Sequence, residues 1–218
     1  MELYNKHQVI ASFAVAIFII STAFILMIKE DSVYRYCLDK SEDSKADTYT
    51  ELSSFEKELC YQKLSDNFES FFSGRYELAG YDICGDNITK LRQIKFIYRV
   101  AWLFSVAAVV VGVRSFYILS RRRLYMPFTY GGAMAALLTA LGALITVCSR
   151  HGLLHGVKMM VLRNDYGYFE GEDVLQYIFP DGFARMKILV FIISVFILIL
   201  IMNLVRMLIA FLGRPHKF

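Results

Sequence analysis

Long apolar runs alternate with polar stretches along the chain, and the spacing predicts four membrane-spanning helices. Val9 to Ile28 is an uncharged run of 20 residues, enough for a helix to cross a hydrocarbon layer of about 30 Å. Comparable runs cover 96–119, 128–148 and 188–211. Lys29-Glu30-Asp31 follows the first run with no small-x-small cleavage site, so that run reads as a retained helix rather than a signal peptide. Two polar regions remain, 29–95 and 149–187. The expected fold is an all-α membrane protein of four transmembrane helices, with 29–95 forming a small helical extracytoplasmic cap.

Inside the first polar region, DKSEDSKADTYTE reads as an exposed loop. A helix is expected to start near Ser53, because Ser53-x-x-Glu56 is a capping box. Phe55, Leu59, Leu64, Phe68, Phe71 and Phe72 then form its apolar stripe, and Gly74 is placed to end it. In the third spanning run, Gly132, Ala136 and Ala140 recur every four residues, which predicts a close helix contact. The fourth run is bulky on all sides, with Asn203 as its lone interior amide.

Charge sets the orientation. Arg121, Arg122 and Arg123 stand together between the second and third runs, Arg206 lies near the end of the fourth, and Arg214 and Lys217 follow it. The positive-inside rule places these and both termini in the cytoplasm. The net charge of +4, against 56% hydrophobic content, reflects such anchors and implies no nucleic-acid partner. Between Arg99 and Arg114 only 14 uncharged residues intervene, about 21 Å of helix, so at least one of the two enters the membrane region. Cys37, Cys60 and Cys84 fall in the long outer region and Cys148 ends the third run. That location permits disulfides, while the spacing offers no Cys-x-x-Cys or Cys/His metal site. Asn87-Ile88-Thr89 fits a glycosylation sequon.

The candidate chemistry gathers at the outer membrane face. His151 and His155 are spaced i, i+4, as if on one helix face. Lys90, Lys95, Tyr98 and Arg99 lead into the second run, and Asn164, Asp165 and Glu172 occupy the short polar region. An imidazole at neutral pH serves acid–base chemistry. Gly-x-Ser-x-Gly, His-Glu-x-x-His and phosphate-binding glycine loops are absent from the sequence. An enzyme built from this set would act on a substrate that brings its own nucleophile, with no metal or cofactor.

Several short motifs, in order, resemble the lipoprotein intramolecular transacylases, four-helix bacterial membrane proteins. Val33-Tyr34-Arg35-Tyr36 resembles the family's Phe-Tyr start of the cap, and 88–98 its Ile-Ser-His-(x)3-Val-Lys motif. Leu154-His155, Asn164-Asp165-Tyr166 and Phe179-Pro180-Asp181-Gly182-Phe183 resemble its Phe-His, Asn-Asp-x-Trp and Leu-Pro-Glu-x-Phe signatures. The chain departs from the pattern at Lys90, where the family has histidine, and at Gly167 or Tyr168, where it has tryptophan.

The resemblance implies transfer of an acyl chain from the sn-2 ester of a diacylated lipoprotein to the amine of its N-terminal cysteine, at the outer face of a bacterial cell membrane. It implies His155 as base, with His151 or Lys90 in place of the missing histidine. Lys95, Tyr98, Arg99, Asn164 and Asp165 would bind substrate, and membrane lipid and the lipoprotein would be the partners. The alternative is a non-catalytic homologue that binds lipid or lipoprotein. Claudin-like and tetraspanin-like scaffolds fit less well, since neither Gly-Leu-Trp-Cys-Cys nor Cys-Cys-Gly occurs.

Overall fold

The computed structural model describes residues 2–44, 53–69, 83, 85–120, 125–152, 155–158, 175, 178–180 and 182–212. These form α1 (Glu2–Lys29), α2 (Ser32–Ser44), α3 (Ser54–Glu69), α4 (Gly85–Ser120), α5 (Pro127–Cys148) and α6 (Phe183–Leu212). Among the described residues, four stretches are long and apolar enough to cross a membrane: Lys6–Lys29, Gly85–Leu119, Pro127–Cys148 and Phe183–Phe211. The four expected runs are therefore all helical. By contacts the chain divides into two compact units. A bundle unit comprises Met1–Leu26, Val100–Ala143 and Phe191–Phe218, and a site unit comprises Met27–Arg99 and Leu144–Val190.

In the bundle unit α1 is the enclosed helix. Half of its most apolar window is buried, against 6% for α6, so α6 presents its bulky side chains to lipid as its composition suggests. Small residues on α1 and its neighbours make this possible. A Cβ on Gly131 would lie 2.5 Å from Val15 Cβ and 2.7 Å from the Ser12 carbonyl oxygen, and Ala135 one turn later is fully buried. The close-contact stripe is thus Gly131–Ala135, one residue out of step with the expected Gly132–Ala136–Ala140. Gly132 faces Ile199 of α6 instead, Ala136 is half-buried and Ala140 is exposed. Thr22 and Ser105 share a hydrogen bond of 3.2 Å between α1 and α4. Asn203 of α6 accepts from the Thr129 hydroxyl of α5 at 3.1 Å.

The site unit is built on α2 and α3 running antiparallel. Asp31 accepts from the Ser65 hydroxyl at 3.2 Å, Tyr34 stacks on Tyr61, and Arg35 pairs with Glu58 at 2.8 Å. As one partner's number rises the other's falls. The capping box forms as read: the Ser53 amide and hydroxyl each donate to Glu56 at 2.8 Å, and Ser53 Oγ accepts from the Glu56 amide. Two expectations need correction. The first six residues of the expected loop, Asp39–Ser44, belong to α2. The buried face of α3 is Cys60, Tyr61, Leu64, Ser65 and Phe68, while Phe55 and Leu59 are exposed. Hydrophobicity alone could not rank Tyr61 above Phe55, because a hydrogen-bonding aromatic stack at this position depends on α2. Phe71, Phe72 and Gly74 lie outside the described residues.

Candidate functional site

The first half of α4 presents Asn87, Leu91, Lys95 and Tyr98 at i, i+4, i+8 and i+11, all buried. Burial of Asn87 inside a helix closes the glycosylation sequon. Lys95 is 4% exposed, and its ammonium donates to the Asn67 carbonyl at 2.6 Å and to Asn67 Oδ1 at 2.8 Å. Asn67 sits in the last turn of α3, where backbone carbonyls are otherwise short of donors. Lys95 thus ties the end of α3 to α4. Lys90 and Arg99 are half-buried on the flanks of the same helix segment.

His151 and His155 come near one another, as their spacing suggested. Gly152 takes φ 78°, a conformation that other residues seldom adopt, and the helical residues 155–158 follow it. His151 immediately precedes Gly152, the first helical residue after α5. Their rings stand 6.4 Å apart, centroid to centroid, tilted by 42°. His155 is half-buried and His151 exposed. Ser149 organises the pair: its hydroxyl donates to the His151 carbonyl at 3.1 Å, and its own carbonyl lies 3.4 Å from His155 Nδ1. A carbonyl only accepts, so a neutral His155 in this contact carries its proton on Nδ1 and has a lone pair on Nε2.

The motifs flanking the histidines form the core of this unit. Tyr34 is fully buried and stacks on Tyr61 with centroids 3.8 Å apart and planes 4° from parallel. Phe183 meets both rings edge-on at 5.7 Å, and Phe179 stacks on Phe183 at 5.4 Å. The Tyr34 hydroxyl donates to the Ile178 carbonyl at 2.7 Å. Burial pushes the hydroxyl pKa of both tyrosines well above the usual range. The Phe183 amide donates to the Pro180 carbonyl, closing a turn whose third residue, Gly182, has φ 80°; glycine at that place is what such a turn requires. The two signatures at 33–36 and 179–183, far apart in sequence, are thus a single aromatic cluster. This cluster holds the unit together.

Two participants escaped the sequence reading. Asn67 is one. Lys187 is the other: it is 8% exposed, donates to the carbonyls of Met27 at 2.9 Å, Ile28 at 3.3 Å and Glu30, and lies 5.4 Å over the Phe183 ring. It caps the end of α1. A lone lysine at the edge of a long apolar run was the available signal. Cys37 and Cys60 are buried in the same core, and burial pushes the Cys60 thiol pKa up. Asn164, Asp165, Glu172 and Cys84 lie outside the described residues, as do Gly167 and Tyr168. Among the described residues no group of three or more His, Cys, Asp or Glu is placed to hold a metal ion.

These features define a class: a multi-pass, all-α membrane protein whose polar residues form a compact second unit around buried lysines and a histidine pair. Solved structures of the membrane-integral lipoprotein intramolecular transacylase Lit from Bacillus cereus have the same fold. One, a form with a histidine replaced by arginine, superposes with a TM-score of 0.78 at 14% identity, covering 95% of this chain and 92% of that one. A second aligns at 0.77 and 14% identity, covering 95% and 96%. A third, with histidine replaced by alanine, aligns at 0.77 and 15%, covering 95% and 94%. By sequence, no family model and no curated protein matches the chain. The fold expected from the order of short motifs is thus the fold that is found.

Proposed function

We propose that the chain is a lipoprotein O-to-N transacylase, and the observation that carries this reading is the likeness to transacylase structures over almost the whole length of both chains. The substrate would be a diacylated lipoprotein held at the extracytoplasmic face of a bacterial membrane, with both termini of the chain in the cytoplasm. Ester and amine belong to one molecule, so holding them together supplies a large part of the rate.

In the proposed reaction His155 Nε2 removes a proton from the N-terminal cysteine amine as the nitrogen attacks the sn-2 ester carbonyl. The Nδ1 contact with Ser149 favours the tautomer this needs. Lys90 or Arg99 offsets the charge of the tetrahedral oxyanion; Lys95, engaged by Asn67, is less suited. Collapse breaks the ester C–O bond, and His155 returns its proton to the sn-2 oxygen. The products are an N-acyl cysteine and a free sn-2 hydroxyl. Asn164 and Asp165 would bind the substrate headgroup.

A second reading, a lipoprotein-binding homologue without turnover, is favoured by one residue: Lys90 stands where the resembled motif has histidine. Mass spectrometry of a reporter lipoprotein's N-terminal peptide separates the two. With the wild-type chain the N-acyl lyso form is expected, and His155→Ala lowers it by roughly 10²–10⁴-fold at equal membrane abundance. Lys90→His should retain or raise the yield. Diacyl lipoprotein left unchanged by the wild-type chain selects the binding reading, and full activity in His155→Ala removes the proposed base.

A further inference from the structure

The proposed reaction uses one imidazole of the pair that follows α5 and gives the other no fixed task. His151 is exposed and His155 half-buried, with ring centroids 6.4 Å apart and planes tilted by 42°. Solvent therefore reaches the pair at least from the His151 side. Imidazole is the commonest protein ligand for transition metals. Zinc binds its nitrogens at about 2.0–2.1 Å and prefers a tetrahedral sphere. That bond length sets the ion about 3.2 Å from the centroid of each ligating ring. Two such rings stand about 5.2 Å apart at the tetrahedral angle and about 6.4 Å apart when opposed. The observed spacing falls at the wide end of this range. Closing it by about 1 Å takes only a rotation of the exposed His151 ring, which is a fast and local motion.

The setting of His155 is also that of a metal ligand. A ligating histidine donates its second ring N–H to a carboxylate, a backbone carbonyl or water, and that bond fixes the tautomer and steadies the ring. The Ser149 carbonyl, 3.4 Å from His155 Nδ1, fills this place and leaves the Nε2 lone pair for coordination. The same serine ties down the backbone of the other ligand, since its hydroxyl donates to the His151 carbonyl at 3.1 Å.

We propose that His151 and His155 together bind a zinc ion, His155 through Nε2, with water completing the sphere. Among the described residues no third His, Cys, Asp or Glu joins them, so the site is open and its affinity micromolar, unlike a closed structural site. Nitrogen ligands select zinc over magnesium and calcium, which take oxygen. Binding does not rest on the proposed acyl transfer. Zinc on Nε2 would occupy the lone pair that reaction needs, so metal and turnover exclude one another.

Isothermal titration calorimetry of the full chain in detergent, without a polyhistidine tag, tests this with zinc chloride and magnesium chloride as probes. Wild type should take up about one equivalent of zinc at micromolar concentration and no magnesium. Losing a ligand should cost at least the roughly tenfold in affinity that loss of an outer partner costs, so His151→Ala and His155→Ala should each weaken zinc by that much. Replacing the chain's other two histidines, His7 and His216, by alanine should leave zinc binding unchanged. No uptake at millimolar zinc overturns the site, as does equal affinity in wild type and both pair variants, or loss of binding with His7 and His216. If His155→Ala does not fold, unchanged affinity in His151→Ala, altered at an exposed position, overturns it equally.

Discussion

The two units solve the same problem, joining helices, with opposite materials. In the bundle unit α1 is enclosed by small residues, and the tightest approach is made by a glycine against Val15 and the Ser12 carbonyl. In the site unit the joints are long polar side chains reaching the ends of helices: Lys95 to the end of α3, Lys187 to the end of α1. Where apolar helices lie in lipid, burial of hydrocarbon gives little preference for one contact over another, so close packing and occasional hydrogen bonds decide. In a unit with polar loops and exposed backbone ends, satisfying carbonyls decides. The first kind of joint is broken by adding volume and the second by removing a donor.

The largest stability effect should come from Gly131→Leu. Its side chain would collide with backbone as well as Val15, and overpacking of this kind costs about 1–3 kcal/mol, sometimes more. Ala136→Leu, at a half-buried position, should be much milder, and equal melting temperatures for the two variants in detergent would mean that the close α1–α5 approach is misplaced. Next, Lys187→Met keeps the length of the side chain and removes the donor. Loss of charged hydrogen bonds to buried carbonyls is worth about 1.5–3 kcal/mol. A Lys187→Met variant as stable as wild type would show that packing, rather than capping, fixes the end of α1.

Arg35→Ala should change stability least. Arg35 is 65% exposed in its pair with Glu58, and such pairs contribute about 0.2–1 kcal/mol. A topology measurement sharpens the comparison without perturbing either kind of joint. Cys37 would be the natural labelling site by sequence, but it is only 5% exposed. Phe55 is 74% exposed, so Phe55→Cys should react with a membrane-impermeant maleimide on intact cells if the site unit is extracytoplasmic. Reaction only after permeabilisation reverses the orientation.

Legibility from sequence follows the same division. The spanning helices could be read because a 20-residue apolar run leaves the backbone one way to satisfy itself. The Ser53–Glu56 box could be read because both partners lie within one turn. The contact stripe of α5 was read one residue out of step, since Gly131 and Gly132 are equally small and only the neighbouring helices distinguish them. The partners of Lys95 and Lys187 could not be read, even where the lysine itself stood out beside an apolar run: their acceptors are carbonyls, which every residue has. At the site, the nearness of His151 and His155 was legible from their spacing, whereas the turn through Gly152 and the role of the Ser149 carbonyl depend on backbone shape. Tyr34 and the 179–183 motif were noticed as signatures. Only the stacked rings show that Tyr34, Phe179 and Phe183 form one cluster.

The Lys187 cap also has a consequence in time. Its ammonium joins carbonyls 157, 159 and 160 residues earlier in the chain. During synthesis at about 5–20 residues per second, the end of α1 waits roughly 8–30 s for its donor to be made. Until then those carbonyls rely on water or headgroups, and the aromatic cluster lacks Phe179 and Phe183. The site unit therefore cannot close before the last spanning helix begins to emerge, so a chain truncated ahead of residue 183 should leave this unit open to proteolysis even with its first three spans in place.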